Sequence, residues 1–153
     1  MLINNAGIFI KGEVFANFTP QTMQQTFDVN VIGTMRVATQ FTDLLRLGTE
    51  PRIINISSQL ASLAGMDTNS GSYSYNSSKT ALNMVTRMLA NDLKADGITV
   101  VAMDPGWIQT DMGGKDAPLL LPEAVGGILS VVEKLTLANT GQFHRYSGER
   151  GVW

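Results

Sequence analysis

Tyr75 and Lys79 stand four positions apart in the run Tyr75-Asn76-Ser77-Ser78-Lys79. On a helix that spacing stacks a phenol and an ammonium on one face. A nearby cation favours the phenolate, so the pattern predicts a Tyr75 pKa lowered from ~10 toward the working range. A tyrosine held this way gives a proton to a developing alkoxide or takes one from an alcohol. A second group must hold the reacting oxygen, and Ser58, just past the apolar run Ile53-Ile54-Asn55-Ile56, is the candidate. Ser57 competes with it, because alternation along a strand turns one of the pair away; position at the end of the run favours Ser58. Tyr73 ranks lower, since four residues beyond it lies Ser77 and no cation. A Tyr and a Lys four apart also occur on ordinary half-exposed helix faces, so the pair gains weight only from the elements that position it.

Those elements belong to a globular chain. The 153 residues suffice for one domain with a core, and 44% hydrophobic against 16% charged residues excludes a disordered class. A net charge of -2 with no long basic run argues against a nucleic-acid or anionic-membrane surface. The absence of cysteine removes disulfides and thiolate chemistry. The single histidine, His144, cannot build a cluster of imidazole ligands, so no metal site is expected. No apolar stretch approaches the ~20 residues that span a bilayer, and no signal-peptide pattern opens the chain, which reads as a cytoplasmic protein.

Hydrophobic period and punctuation divide the chain. A short strand over Met1–Asn5 runs into Asn4-Asn5-Ala6-Gly7. Thr19-Pro20 starts a helix extending to about Leu47, with Phe27, Val31, Met35, Ala38, Phe41, Leu44 and Leu45 as its apolar stripe and Gly48 as its stop. Arg52–Ser58 reads as a buried strand, Tyr73 to about Ala95 as a second helix with Leu82, Val85, Met88, Leu89 and Leu93 inward, and Ile98–Met103 as a third strand. Irregular Trp107–Leu121, a helix from Pro122 to about Leu137 and a strand over Gln142–Tyr146 complete the order. The methionines at 84, 88, 103 and 112 read as core or pocket filler. Strand and helix alternate throughout, which predicts right-handed crossovers and a parallel sheet of about four strands covered on both faces. Ligands of such sheets bind beyond the carboxyl ends of the strands. Asn5, Ser58 and Pro105 all lie just past strand ends and would share one rim.

With these residues assembled, the chain resembles a short-chain dehydrogenase/reductase over essentially its whole length. The likeness rests on Asn4-Asn5-Ala6-Gly7, on Asn30 within Val29-Asn30-Val31-Ile32-Gly33, on Ile56-Ser57-Ser58, on Tyr75-x-x-x-Lys79, and on Pro105-Gly106-Trp107 followed by Thr110. The segment Pro105–Gly114 and the closing aromatic tail look most like the carbonyl-reductase-like branch of sniffer and C-factor type. The resemblance implies a Rossmann-type doubly wound sheet, a single NAD(P)-binding domain over 1–153, and hydride transfer between NAD or NADP and a carbonyl or secondary alcohol. It implies a tetrad of Asn30, Ser58, Tyr75 and Lys79. Tyr75 would be the acid/base, Lys79 would lower its pKa and hydrogen-bond the nicotinamide ribose, Ser58 would hold the carbonyl, and Asn30 would interrupt its helix in a proton relay. Asn5, Ala6 and Gly7 would approach the adenosine side of the cofactor, and Pro105, Gly106 and Thr110 the carboxamide. The alternatives are a plain surface polar residue for Asn30 and loop-forming roles for Thr110 and Trp107, and His144 reads as a structural or exposed histidine.

The sequence also departs from that family. It contains no Gly-x-Gly-x-x-Gly, and Met1-Leu2-Ile3 resembles the family's fourth strand, so the expectation is a truncated domain that binds cofactor weakly and self-associates through an open sheet edge or as a homodimer. The alternative function is a non-catalytic signalling or interaction fragment, or an inactive product. The stretch from Ser58 to Tyr75 is longer than in many members, which predicts a surface bulge over Met66–Ser72. Trp107, Met112 and Leu119–Leu121 would line a partly apolar pocket for a small carbonyl substrate.

Overall fold

A computed structural model describes residues 1–66 and 71–153. Its single sheet holds four parallel strands in sequence order: β1 (Leu2–Asn4), β2 (Arg52–Ile56), β3 (Thr99–Asp104) and β4 (Phe143–Arg145). The parallel α/β fold follows the alternation of elements in the sequence. The registers Asn4 to Asn55, Ile56 to Met103 and Asp104 to Arg145 bring the carboxyl ends of all four strands to one rim.

Each face of the sheet closes its own core. Ile53, Val100 and Ile98 pack with Leu45, Ala90 and Leu93, which come from or follow the helices α2 (Thr34–Arg46) and α3 (Tyr73–Asp92). On the other face Ile54, Val101 and Met103 pack with Val131, Val132 and Leu135 of and after α4 (Leu121–Lys134). Alternating side chains along β2 and β3 supply both clusters, which is why these strands read as nearly continuous apolar runs.

The first long helix is one element in sequence and three in geometry. Thr19 caps α1 (Pro20–Phe27) by accepting the Thr22 N–H at 3.2 Å. Asp28–Gly33 then opens into a π-helical segment before α2 begins. Gly33 belongs to this widened turn, since a Cβ there would lie 3.3 Å from the Asp28 carbonyl oxygen. The interruption rotates the buried stripe onto Thr26, Asn30, Thr34, Ala38 and Leu45. Phe41 and Leu44, expected in the core, are instead exposed, as is Met88 on α3. Met84 and Met112 are exposed as well; Met103 lies in the core, while Met84 and Met88 line surface pockets. The expected bulge over Met66–Ser72 falls mainly on 67–70, outside the described residues.

Candidate active site

Three segments leave the rim of the sheet side by side: Asn5-Ala6-Gly7 after β1, Ser57-Ser58 after β2, and Pro105-Gly106 after β3. The start of α3 faces the same rim. Ser72 caps that helix by accepting the Tyr75 N–H at 3.1 Å. Glu13, on the loop after β1, accepts the Ser74 N–H at 2.7 Å and is nearly buried. Burial pushes the Glu13 carboxyl up, but hydrogen bonds from Ser74 and Ser72 outweigh it and leave its pKa below the usual range.

Tyr75 and Lys79 occupy the buried face of α3. Ser58 stands close enough to the Tyr75 phenol to favour its ionised form, and Phe9 meets its ring edge-on at 5.0 Å. Lys79 Nζ lies 5.7 Å from the Tyr75 ring centroid and donates to the Ile56 carbonyl at 2.8 Å. The expectation of a lowered phenol pKa is corrected here. Burial raises it, nearby Ser58 opposes the rise only in part, and the charge of Asp104 adds to it. The cost of burying charge falls on the lysine too, whose pKa drops to about 8 through desolvation.

The two serines diverge as strand alternation requires. The Ser57 hydroxyl donates to Asn83 Oδ1 at 2.6 Å in the interior, whereas Ser58 lies on the side of the phenol and accepts the Leu60 N–H at 3.1 Å. Asn30 is fully buried in the π-helical segment. Its side chain accepts the Ile8 N–H at 2.8 Å, donates to the Ile8 carbonyl at 3.0 Å, and donates to Ser78 Oγ at 3.0 Å. It therefore ties the loop after β1 to α3, between Tyr75 and Lys79. Gly7 lies against this knot: a Cβ there would sit 3.4 Å from both Asn30 Oδ1 and Lys79 Nζ.

Pro105 and Gly106 sit half-buried at the rim. Gly106 has φ +81°, and a Cβ would press to 2.8 Å from the Tyr146 ring, so the position demands glycine. Thr110 is exposed, and among the described residues its hydroxyl serves its own turn, accepting the Gly113 N–H at 3.1 Å. Asn5 and Ala6 are likewise exposed on the rim. Trp107, Met112, Leu120 and Leu121 offer apolar surface, but Leu119 is buried as an anchor and does not line the opening as expected. Lys11 Nζ donates to the Asp111 carbonyl at 3.1 Å, linking the loop after β1 to the 107–120 segment.

Sequence reasoning missed the polar ladder beneath the site. Asn4 Nδ2 donates to Asn55 Oδ1 at 2.8 Å, and Asn55 Nδ2 to Thr86 Oγ1 at 2.9 Å, locking β1, β2 and α3 together. Asn55 inside an otherwise apolar strand was its only signal; Glu13 and Asp104 gave none. His144 is buried in β4, with its pKa lowered by desolvation and by Arg150. Among the described residues no cluster of metal-ligating side chains occurs.

Comparison with known proteins agrees with this geometry. The short chain dehydrogenase family matches residues 1–118. C-signal of Myxococcus xanthus is 39% identical over 153 residues, covering all of this chain and 92% of that protein. L-xylulose reductase of Caenorhabditis elegans is 40% identical over 116 residues, 73% of this chain and 43% of that one. Among solved structures, the carbonyl reductase Sniffer of D. melanogaster superposes with a TM-score of 0.94 at 35% identity. An NADPH-bound carbonyl reductase from chicken fatty liver gives 0.93 at 34%. Each structural match covers 99% of this chain but 65% of the other, so the chain spans about two thirds of those reductases. A matched family over most of the sequence, a parallel sheet with the reductases' course, and a tyrosine, lysine and serine gathered at its rim make the chain a member of the short-chain dehydrogenase/reductase family.

Proposed function

We propose that Ser58, Tyr75 and Lys79 form the proton-handling centre of an NAD(P)-dependent oxidoreductase acting on a carbonyl compound or secondary alcohol. The observation that carries this reading is Tyr75 and Lys79 on one buried helix face, the ammonium 5.7 Å from the phenol ring, with Ser58 nearby at the carboxyl rim of a parallel sheet. The chain acts within a single NAD(P)-binding Rossmann-like unit over 1–153.

The residues present fit the nicotinamide end of such a cofactor. Gly7 keeps the approach to Lys79 and Asn30 free of a side chain, and an ammonium carries three donors, of which Ile56 takes one. Gly106 supplies a backbone turn at the same rim. Asn5, Ala6 and Gly7 would hold the adenosine side, and Pro105, Gly106 and Thr110 the carboxamide. When bound, a reduced nicotinamide supplies the hydride. In the reducing direction Ser58 holds the carbonyl oxygen while Tyr75 transfers its phenolic proton to that oxygen, yielding the alcohol. Burial keeps Tyr75 protonated until that moment, which suits an acid. Lys79, charged at neutral pH with a pKa of about 8, stabilises the phenolate left behind until solvent reprotonates it. Asn30, through Ile8 and Ser78, holds the loop and helix in register. Trp107, Met112, Leu120 and Leu121 favour a partly apolar substrate. The protein pairs with a second copy through the exposed apolar side chains of α2 and α3.

Steady-state oxidation of NADPH and NADH with apolar aldehydes and ketones tests the reading. Tyr75→Phe and Ser58→Ala are expected to lower kcat by about 10²–10⁴-fold. Ser57→Ala, which loses only the Asn83 contact, is expected to keep kcat within a few fold and to cost about 1–2 kcal/mol of stability. Equal losses from the two serine variants would contradict the assignment of Ser58.

A further inference from the structure

Asp104 ends β3 with its side chain 2% exposed. One carboxylate oxygen accepts the Gly106 N–H at 3.2 Å, and the other accepts from Arg145 Nε at 3.3 Å. The same guanidinium donates to Gln59, next to Ser58, at 3.3 Å, and to Glu149 at 3.2 Å. One ion pair thus joins the Pro105-Gly106 turn, β4 and the segment that carries Ser58. Ser58 in turn lies near enough to the Tyr75 phenol to favour its ionised form. We propose that the Asp104–Arg145 ion pair is a positioning pair for this site, bracing Ser58 against the Pro105-Gly106 turn and setting the electric field at the Tyr75 phenol.

The charges around that phenol can be followed element by element. On α3 it is Lys79, and at the helix N-terminus Glu13, engaged by Ser74. The loop after β1 presents Phe9, with Lys11 held at Asp111. The segment after β2 brings only uncharged Ser58 and Gln59, and the end of β3 brings Asp104. Arg145 of β4 faces Asp104, with Glu149 behind it. Asp104, at the end of β3 beside the Pro105-Gly106 turn, is therefore the anion on this rim whose charge opposes phenolate formation at Tyr75. Arg145 masks part of that charge. Removing the anion and removing its mask must move Tyr75 in opposite directions, whereas loosened packing would move it the same way in both cases.

The proposal deepens the reading of Tyr75 as the acid, but its test needs no turnover. The alkaline absorbance titration of Tyr75 is isolated by subtracting a Tyr75→Phe version in each background, which removes Tyr73 and Tyr146. Asp104→Asn is expected to lower the Tyr75 midpoint by about half a pH unit or more. Arg145→Gln is expected to raise it, and the double variant to return toward the parent protein. Midpoints that stay put in both single variants, or move the same way in both, overturn the proposal. If Asp104→Asn fails to fold, the more exposed Arg145→Gln decides alone: a raised midpoint supports the ion pair, and an unmoved or lowered one overturns it. A protein that shows the opposed shifts but no cofactor oxidation would sink the oxidoreductase reading and leave the ion pair standing.

Discussion

Burial governs Lys79. The residue is 3% exposed, and desolvation brings its pKa from 10.5 to about 8. That interval corresponds to roughly 3 kcal/mol of preference for the neutral form. The folded protein holds the proton less tightly than the unfolded chain, so between about pH 8 and 10.5 the unfolded state binds more protons and stability rises with pH. Below pH 8 both states are charged and the full penalty stands. Lys79→Met removes this dependence. The stability of the parent protein relative to Lys79→Met is therefore expected to rise by about 2–3 kcal/mol from pH 7 to 10, read by urea unfolding. A constant difference would show that Lys79 keeps an ordinary pKa. At this scale the sequence conveyed which residues meet and misjudged how they titrate. Tyr75, Lys79 and Ser58 were legible from spacing and strand ends. The direction of the Tyr75 shift was not, because spacing reports proximity and carries no measure of burial. Asp104 was illegible for a related reason: an acid at a strand end looks like an exposed turn residue until Arg145 folds back over it.

The elements position this chemistry through a few cross-links. Asn30 is the clearest, since a single amide joins the loop after β1 to α3 from within a π-helical turn. Asn30→Ala would strip Ile8 of both backbone partners and Ser78 of one. The expected loss is about 2–4 kcal/mol by urea denaturation, from buried polar groups left unpaired. Asn30→Ala with unchanged stability would show that the loop finds other partners. Strand and helix existence followed from sequence because β-branched runs and caps such as Thr19-Pro20 are local signals. The π-helical opening was not separable from one long helix by periodicity. It shifts the buried stripe by a fraction of a turn, which is why Phe41 and Leu44 emerge on the surface while Asn30 and Thr34 turn inward.

At the scale of the whole molecule, both long helices carry exposed apolar side chains: Phe41 and Leu44 on α2 and Met84 and Met88 on α3. Sedimentation velocity is expected to show a dimer that Phe41→Asp or Met84→Asp dissociates; unchanged sedimentation in both variants would remove these helices from the contact. The parallel sheet and its shared rim were legible because alternation of elements constrains topology strongly. Which apolar side chains of the two helices stay exposed was not, since an exposed apolar stripe and a buried one share the same sequence period. In the proposed reaction, proton and hydride meet at one substrate carbon–oxygen bond. Its most direct test follows a deuterium label from the nicotinamide ring of reduced cofactor into an apolar ketone. The parent protein is expected to deliver the label to one face of the carbonyl carbon, and Tyr75→Phe to deliver about 10²-fold less or lower still at equal cofactor occupancy. Equal label transfer by both proteins, or none by either at full cofactor occupancy, would contradict it.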